Sequence, residues 1–423
     1  MSPQNEEPKT LRVAIIGLSA SAITSWASTA HLPNLLSPSG RTRFRIVALC
    51  NSSLSAAHAA VAAYHLDPLT TRAYGDPESL ARDEEVDLVL VNTRVDKHLE
   101  TALPSVKAGR DVFVEWPVAR DQGEVEVLRQ ALRQSRAAGK KGRVLVGLQG
   151  RWAPPVVRIK ELLREGKIGR LLSSRVEAYG GSRDREVLPV GLKYFAERRV
   201  GGNPITIGFG HVVDFVQSVV GDLTLESTHA HFQLQRPDVR IRGPAQDDKI
   251  VETITSDVPD LLSLHGFTNI PLSSLPPNER KNTSPATLSF TFRRGQPFPG
   301  TPSLIWTLHG TTGEIRLVAP AGISLQADAY AEPVTIHLHT FAKGDGPDAV
   351  EEVKWDWTVT QREVGVRARG VQSVLFAFGD AVLAGGHGGE QGKKGWEERG
   401  WVELDEAAER AGQIEGWLEG FKG

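Results

Sequence analysis

The stretch LRVAIIGLSASA, residues 11–22, has the pattern of a buried strand that ends in a tight turn. Its apolar run stops at Gly17, and small residues follow before a segment of helical character. The same alternation continues to residue 149, with further strand patterns at 43–50, 86–93, 111–116 and 143–149. Largely uncharged strands, each followed by a helix, indicate a parallel sheet covered on both faces. The sequence therefore predicts a doubly wound α/β domain.

The pattern changes near Gln149. Longer segments with period-two apolar content follow, and helices are segregated from them, which predicts an open, mostly antiparallel sheet. A stretch rich in Pro, Asp and Ser at about 236–286 predicts a surface insertion in this second part. We therefore expect an amino-terminal doubly wound Rossmann domain over residues 1–149 and a carboxy-terminal α/β domain over residues 150–423.

Composition excludes several classes of protein. The chain has 423 residues, a formal net charge of -2 and a single cysteine, Cys50. Near-neutral charge gives no general attraction to nucleic acid or to an anionic membrane, and one cysteine excludes an intrachain disulfide and a zinc site built on cysteine pairs. The polar start lacks the apolar core of a signal peptide, and no apolar run is long enough for a membrane span. We expect a cytoplasmic protein with neither a membrane nor a nucleic acid as direct partner.

The turn after the first strand is a candidate phosphate-binding site. A full G-x-G-x-x-G pattern would place glycines where this chain has Ser19 and Ala22. Gly17 still allows a tight turn, and small residues would let the backbone approach a pyrophosphate at a helix amino terminus. The alternative is a strand-to-helix turn without a ligand. The candidate phosphate-binding residues are Gly17, Ser19, Ala20, Ser21 and Ala22.

The end of the second strand pattern bears on the choice of dinucleotide. An Asp or Glu that binds the ribose of NAD is expected close to this point, and none is present. Asn51 and Ser52 are neutral and would tolerate a 2′-phosphate. This favours NADP, with NAD as the alternative.

Several longer segments resemble one family. VNTRVDKHLETALPSVKAGRDVFVEWPVA (91–119), GRWAPPVVRIKELLREGKIGRL (150–171) and GGNPITIGFGHVVDFVQSVVG (201–221) are similar to corresponding segments of the glucose–fructose oxidoreductase / inositol dehydrogenase / MocA family. The resemblance covers most of the chain. It implies a nicotinamide cofactor, a small-molecule substrate and a homodimer formed through the open sheet. It also implies further cofactor contacts at Thr93, His98, Glu115, Trp116 and Gln149.

Within that family the chain resembles most the fungal galactose-regulon repressor and its relatives. The shared features are Glu115-Trp116, the L-Q-G-R run at 148–151, the T-x-x-F-G-H run at 206–211 and Lys193-Tyr194 before a double glycine. In the family's dehydrogenases, a lysine, an aspartate and a histidine surround the reacting oxygen of the substrate.

Two of these three groups are replaced in this chain. Trp116 stands at the lysine position, and an indole does not titrate. Ile207 stands at the aspartate position, so only His211 remains as a candidate acid or base. We hypothesise that Lys193 or Tyr194 supplies the missing proton donor. The alternative interpretations are a structural role for His211 at a helix start and a core position for Trp116, which otherwise forms a wall of the nicotinamide pocket.

Three functions remain open from the sequence. The leading hypothesis is an NAD(P)-dependent oxidoreductase that acts on a carbonyl or hydroxyl group of a small, sugar-like molecule. The second is a dinucleotide-binding regulator that has lost catalysis and acts through a protein partner, for which the nucleus is a further location. The third is an imine or alkene reductase that needs less acid–base help. The histidine pairs at 229–231 and 337–339 have no identifiable third ligand, and we predict no metal site there.

Overall fold

The computed structural model describes residues 9–21, 25–244, 249–269, 285–342, 347–385 and 395–422. The chain divides into two compact units. The first contains residues 1–149 and 358–411, and the second contains residues 150–357 and 412–423.

The strands are β1 (Leu11–Ile16), β2 (Phe44–Cys50), β3 (Arg72–Tyr74), β4 (Leu88–Val91), β5 (Asp111–Glu115), β6 (Val144–Gly147), β7 (Leu171–Gly180), β8 (Val187–Pro189), β9 (Asp222–Leu223), β10 (His229–Gln233), β11 (Asp238–Arg242), β12 (Ile250–Thr255), β13 (Leu261–Asn269), β14 (Ala286–Arg294), β15 (Leu304–Gly310), β16 (Gly313–Ala319), β17 (Thr335–Thr340), β18 (Ala349–Val353) and β19 (Val402–Glu403). The α-helices are α1 (Leu32–Leu36), α2 (Pro38–Arg41), α3 (Leu54–Ala63), α4 (Pro77–Ala81), α5 (His98–Ala108), α6 (Gln122–Ala137), α7 (Pro154–Arg164), α8 (Gly210–Val220), α9 (Val366–Leu383), α10 (Trp396–Arg399) and α11 (Leu404–Glu419). Two π-helical turns occur at Ala27–His31 and Pro204–Phe209.

A seven-stranded sheet forms the centre of the first unit, in the order β19-β6-β5-β4-β1-β2-β3. Neighbouring strands run parallel except β19, which is antiparallel to β6. Every residue of β4 and of β6 is buried, which is why their sequences carry no charge. The doubly wound prediction is confirmed, and the carboxyl ends of β1, β4, β5 and β6 share one edge.

Residues 358–411 also belong to the first unit, although the sequence places them in the second domain. Helix α9 packs so closely on this unit that a β-carbon added to Gly379 would lie 2.6 Å from the Phe44 ring. The guanidinium of Arg143 lies 4.5 Å from the ring centre of Phe378, and Val402 pairs with Val146. An apolar helix pattern does not identify the sheet on which it packs, so the boundaries predicted from the sequence omitted this return of the chain.

A nine-stranded sheet dominates the second unit, in the order β10-β13-β14-β7-β15-β16-β17-β18, with β9 paired to β13. The pair β14 and β7 is parallel, and the other pairs are antiparallel. Buried and open residues alternate along β13, as expected for a sheet with one covered face. The mostly antiparallel prediction is confirmed.

The predicted surface insertion at about 236–286 contains strands instead. Strands β11 and β12 join β8 in a three-stranded sheet, and β13 belongs to the nine-stranded sheet. Val239 and Ile241 of β11 are fully buried, whereas the other three residues of this strand are charged and exposed. These outward charges made a period-two strand resemble a loop. Residues 245–248 and 270–284 lie outside the described part of the chain.

Candidate functional site

The turn after β1 requires a glycine. Gly17 has φ +91°, and a β-carbon there would lie 2.8 Å from the carbonyl oxygen of Asn92. Its amide donates to the carbonyl of Cys50 at 3.0 Å, and the amide of Asn92 donates to Ile16 at 3.0 Å. The ends of β1, β2 and β4 are thereby drawn together, and a side chain at this position would force them apart.

The residues after this turn present hydroxyl groups. The Oγ atoms of Ser19 and Ser21 lie 3.2 Å apart, and the amide of Ser21 donates to Ser19 Oγ at 3.2 Å. The hydroxyl of Tyr64, which follows α3, donates to the carbonyl of Ser19 at 3.0 Å and fixes the backbone from the other side. Ala20 and Ser21 are exposed, and Ala22 lies outside the described residues. The segment offers hydrogen-bond donors without bulk.

Asn51 supports the same turn. Its side-chain nitrogen donates to the carbonyls of Leu18 at 2.9 Å and Ala56 at 3.4 Å. The amide hydrogens are therefore used within the protein, and the side-chain oxygen is the atom left to meet a ligand. Ser52 is exposed beside it.

Acidic residues lie near the end of β2. Burial raises the pKa of the Cys50 thiol to about 12, and the negative charges of Asp76 and Glu78 contribute to the same shift. Asp76 also caps α4 by accepting from the amide of Ser79 at 2.7 Å. Asp76 and Glu78 therefore place negative charge near this end of the strand.

His98 joins the ends of β4 and β5. Its Nδ1 lies 2.9 Å from the carbonyl oxygen of Pro117, and its Nε2 lies 3.0 Å from that of Thr93. Burial lowers the pKa of His98, so the ring is neutral at physiological pH and donates to one of these carbonyls at a time. The hydroxyl of Thr93 lies 3.1 Å from that of Thr101. The predicted cofactor residue His98 thus makes main-chain contacts that shape the edge.

Glu115 ends β5 and pairs with a buried histidine. Its Oε1 lies 2.5 Å from Nε2 of His31, which is fully buried on the π-helical turn Ala27–His31. The imidazole edge packs against Phe113 with ring centres 5.2 Å apart. A β-carbon at Gly147 would collide with the other carboxylate oxygen, so β6 needs glycine where it passes this pair. Glu115 is therefore held in one position by neighbours on the π-helical turn and on β6.

Trp116 follows Glu115 and is buried, with 5 % of its surface exposed. The peptide bond between Trp116 and Pro117 is cis. The structure thus places a large indole directly after β5, at the edge that also carries Gly17. The two alternatives from the sequence, a core residue and a pocket wall, are both consistent with this burial.

Two side-chain amides at this edge have unmet hydrogen-bonding capacity. Both polar atoms of Asn92, after β4, are buried and have no partner among the described residues. The same holds for both polar atoms of Gln149, which is fully buried after β6. Buried amides are normally paired, so each such group requires an explanation.

These features fit a nicotinamide dinucleotide. Gly17 permits the tight turn between β1 and the following segment, and the serines after it offer hydrogen-bond donors to a pyrophosphate. Asn92 and Gln149 offer both donors and acceptors of the kind that a carboxamide and ribose hydroxyls satisfy. Among the predicted cofactor residues, Gly17 lies beside Asn92 and Thr93, and Asn51 donates to the carbonyl of Leu18. Glu115 and Gln149 both lie close to Gly147 on β6.

His211 lies in the second unit, near the start of the fully buried helix α8. A capping box precedes it, in which Asn203 accepts from the amide of Thr206 at 3.1 Å and the hydroxyl of Thr206 accepts from the amide of Asn203 at 3.1 Å. One turn after His211, Asp214 receives two hydrogen bonds from Arg151, at 2.7 and 2.9 Å. The histidine therefore lies on a rigid helix beside a neutralised carboxylate.

Lys193 and Tyr194 lie on a 3₁₀ segment of the second unit, Val190–Ala196. The ammonium of Lys193 contacts both oxygens of Glu252, at 2.7 and 2.8 Å, in a half-exposed ion pair. The ring of Tyr194 packs edge-on against Phe195 at 5.0 Å. Phe195 belongs to an apolar cluster of buried residues, and both Tyr194 and Ile207 pack against this cluster. Ile207 stands at the position that the resemblance assigns to the family's aspartate. The contacts with Glu252 use two of the three protons of the Lys193 ammonium.

The histidine pairs show no metal geometry. His229 and His265 face each other across β10 and β13 with ring centres 5.2 Å apart. Among the described residues, no group of three His, Cys, Asp or Glu side chains is arranged to hold a metal ion. No described helix is both long enough and apolar enough to cross a membrane.

The sequence did not identify His31 or Asn92 as site residues. His31 is 84 positions from Glu115, and nothing in its local pattern links the two. Asn92 did carry a usable signal, because a polar residue directly after a fully buried parallel strand lies at the ligand-binding edge of such a sheet.

Comparison with known proteins agrees with this geometry. Residues 11–146 match the model of an oxidoreductase family with an NAD-binding Rossmann fold, and residues 154–319 match the model of the Gal80p carboxy-terminal domain. The dehydrogenase aclE of Aspergillus oryzae is 30% identical over 320 residues, which are 74% of this chain and 78% of that protein. The super-repressor mutant E351K of Gal80p from Saccharomyces cerevisiae has a similar structure, with a TM-score of 0.78, 22% identity and coverage of 96% and 95% of the two chains. Levoglucosan dehydrogenase in complex with NADH and levoglucosan has a TM-score of 0.67, 16% identity and 97% coverage of both chains.

The fold and the first-unit site define an oxidoreductase-type protein with a Rossmann domain for a nicotinamide dinucleotide. The chain belongs to the glucose–fructose oxidoreductase / inositol dehydrogenase / MocA family, and its second unit is of the Gal80p type.

Proposed function

We propose that the protein binds a nicotinamide dinucleotide and transfers a hydride to or from a carbonyl or hydroxyl group of a small, sugar-like molecule. The observation that carries the dinucleotide site is the pair of buried amides, Asn92 and Gln149, whose polar atoms have no partner among the described residues. Leaving a buried amide unpaired costs about 1–3 kcal/mol, so a ligand that completes both gains that free energy on binding. Gly17 allows the turn after β1 to approach the backbone of Asn92 at the same edge.

We further propose a preference for NAD(H), in place of the NADP(H) that the sequence favours. Asn51 uses its amide hydrogens within the protein and presents an oxygen, which accepts from a ribose hydroxyl and repels a phosphate. The negative charges of Asp76 and Glu78 near the end of β2 act in the same direction. A 2′-phosphate would meet unfavourable electrostatics there.

The nicotinamide supplies or accepts the hydride when bound, and the protein must move a proton at the substrate oxygen. His211 is the residue that we assign to this proton, since an imidazole changes its protonation near neutral pH. Tyr194 is the second candidate donor. We favour it over Lys193 because Glu252 holds the ammonium of Lys193 on both carboxylate oxygens.

A regulator that binds the dinucleotide without turnover is the second candidate. Trp116 and Ile207 remove two of the three groups that the family's dehydrogenases use, and neither side chain exchanges protons. The match of residues 154–319 to the Gal80p domain supports this reading. Such a protein would act through a protein partner, in the cytoplasm or in the nucleus.

The open face of the nine-stranded sheet supports a homodimer under either function. Phe267 on β13 is 50% exposed and Val350 on β18 is 66% exposed on this face. These two side chains lie on strands near opposite ends of the sheet, and the homodimer is proposed from the family resemblance. Sedimentation velocity across a concentration series tests this, and a monomer at all concentrations would exclude it.

One experiment separates the two functions. The purified protein is titrated with NADH and with NADPH, and is then screened for turnover with sugars, polyols, imines and activated alkenes. Binding with turnover of a sugar or polyol supports the oxidoreductase. Turnover of imines or alkenes alone supports an imine or alkene reductase instead. Binding without any turnover supports the regulator. Absence of dinucleotide binding would contradict both proposals.

A further inference from the structure

A cavity lies in the first unit, at the edge of the sheet opposite to the one that carries Gly17 and Glu115. It has a volume of about 210 Å³ and is lined by segments that precede β1, β4, β5 and β6 and by the end of α9. Parallel strands place all their amino ends on one edge, so this cavity is separated from the dinucleotide edge by the length of the strands. Neither the family resemblance nor the proposed function uses it.

Three cationic residues line this cavity: Lys9, Arg110 and Lys141. None of them forms an ion pair with a residue in the described ranges. The Nε atom of Arg110 is buried and has no hydrogen-bond partner in those ranges. The charge of Arg110 acts on Asp87, but the hydrogen bonds that Asp87 accepts here come from Arg12. A partly buried guanidinium whose hydrogen bonds are incomplete is costly, so an anion at this position would stabilise it.

Two carboxylates also line the cavity, and both are already neutralised. Asp87 accepts from the backbone amide of Arg12 at 2.8 Å and from its Nε at 3.0 Å and Nη2 at 2.8 Å. Asp111 accepts from the backbone amide of Arg143 at 2.9 Å and from its Nε at 3.1 Å and Nη2 at 2.9 Å.

A third carboxylate, Glu85, binds the same guanidinium as Asp87. Glu85, the second partner of Arg12, is largely exposed at 64% and does not line the cavity. The charge that the lining presents to a ligand is therefore positive.

Two glycines let the chain segments that line this cavity pack closely together. A β-carbon at Gly142 would lie 2.6 Å from the carbonyl oxygen of Arg110, and one at Gly109 would lie 2.6 Å from the side chain of Lys140. The glycines allow the chain segments before β5 and β6 to approach each other, and this approach brings Arg110 and Lys141 to one cavity. The positive charge is thus a product of the fold, since the three cations come from three separate segments.

We propose that this cavity is a binding site for a phosphate group, either as the free ion or carried by a small metabolite. Cations that converge from different directions suit a tetrahedral oxyanion, whereas a planar carboxylate is matched best by a single guanidinium fork. The cavity is smaller than the roughly 300–1,000 Å³ of typical small-molecule sites, which excludes a nucleotide and leaves room for a short phosphorylated skeleton.

The test measures thermal stabilisation and calorimetric binding with inorganic phosphate, glycerol 3-phosphate and glucose 6-phosphate, at constant ionic strength set with chloride. Arg110→Met and Lys141→Met remove one charge each and keep an aliphatic side chain. Lys140→Met is the matched control, because Lys140 does not line the cavity and its Nζ donates to the carbonyl of Lys107. We expect phosphate binding to weaken by at least about tenfold in the first two variants and to be unchanged in the control.

The outcomes are distinguishable. A sugar or glycerol phosphate that binds more tightly than inorganic phosphate identifies a metabolite as the ligand, and equal affinities identify the phosphate ion. No phosphate binding, equal stabilisation by chloride, or undiminished binding in both Arg110→Met and Lys141→Met would overturn the proposal. If Arg110→Met does not fold, the phosphate affinity of Lys141→Met alone tests the proposal. Affinity for NADH is measured on each variant and is expected to stay constant, since the two sites lie at opposite edges of the sheet.

Discussion

His31 and Glu115 form a buried pair across 84 residues of sequence, with Nε2 of the imidazole 2.5 Å from Oε1 of the carboxylate. The histidine belongs to the helical segment after the Gly17 turn, and the glutamate ends β5. The pair therefore ties together two segments that both contribute to the dinucleotide edge. It gives Glu115 a structural role that does not depend on which residue follows it.

Removing one partner of this pair is expected to destabilise the protein. Glu115→Leu leaves the imidazole of His31 buried without its partner, which costs about 1–3 kcal/mol of unfolding free energy. The double variant His31→Leu/Glu115→Leu removes both polar groups and should lose less than the sum of the two single changes. Urea unfolding of the four proteins measures this coupling, and strictly additive losses would show that the pair contributes nothing.

The turn at Gly17 is expected to be intolerant of alanine for a reason beyond its positive φ. Gly17→Ala should weaken dinucleotide binding by about tenfold or more, because the new methyl group would lie 2.8 Å from the Asn92 carbonyl. Gly139→Ala is the control, since Gly139 has φ +82° and nothing lies within 4 Å of an added β-carbon. It should cost about 1–2 kcal/mol from the backbone alone and leave NADH affinity unchanged. Equal effects of both variants on binding would contradict the close-approach argument.

Gln149→Leu is expected to stabilise the ligand-free protein and to weaken its binding of NADH. The leucine fills the same buried space without the amide, whose unmet hydrogen bonds cost about 1–3 kcal/mol in the absence of ligand. The melting temperature without ligand should rise, and the affinity for NADH should fall by about tenfold. Gln326→Leu in the second unit, where the side-chain oxygen is also buried without a partner in the described ranges, tests the stability effect alone. Unchanged affinity in Gln149→Leu would remove this residue from the cofactor site.

His98 is expected to make the protein sensitive to mild acid. Burial lowers its pKa in the folded state, whereas in the unfolded chain it takes up a proton at about pH 6.5. The unfolded state therefore binds more protons below that pH, and stability falls as the pH falls, by up to about 1.4 kcal/mol per pH unit for one group. The unfolding free energy, measured by urea unfolding at several pH values between 7.5 and 5, should depend less steeply on pH for His98→Gln than for the parent. His58→Gln, at an exposed position on α3, should leave the slope as it is.

For any substrate found in the screen, His211→Gln is expected to lower kcat by about 10²–10⁴-fold, the usual contribution of a general acid or base. Affinity for NADH should stay the same, because His211 belongs to the second unit and the dinucleotide residues belong to the first. Tyr194→Phe should reduce kcat more than Lys193→Met does, since Glu252 already holds the Lys193 ammonium. Full activity in His211→Gln would remove the proton-transfer assignment.

Local patterns in the sequence were sufficient for much of the fold. The uncharged runs that became β4 and β6 are buried on both faces, so their composition directly reflects their position in the sheet. The glycine at 109 ends α5 with φ +81°, which is the conformation that a glycine stop predicts. In contrast, β11 was missed because its buried Val239 and Ile241 alternate with outward charges.

The sequence by itself determined the two sheet types and the glycine turn at residue 17. These follow from residue type and short-range periodicity. Only the tertiary structure decided that residues 358–411 return to the first unit, that His31 meets Glu115, and that Arg110 and Lys141 share a cavity. Each of these depends on segments far apart in the chain, and the packing that brings them together leaves no signature in either segment alone.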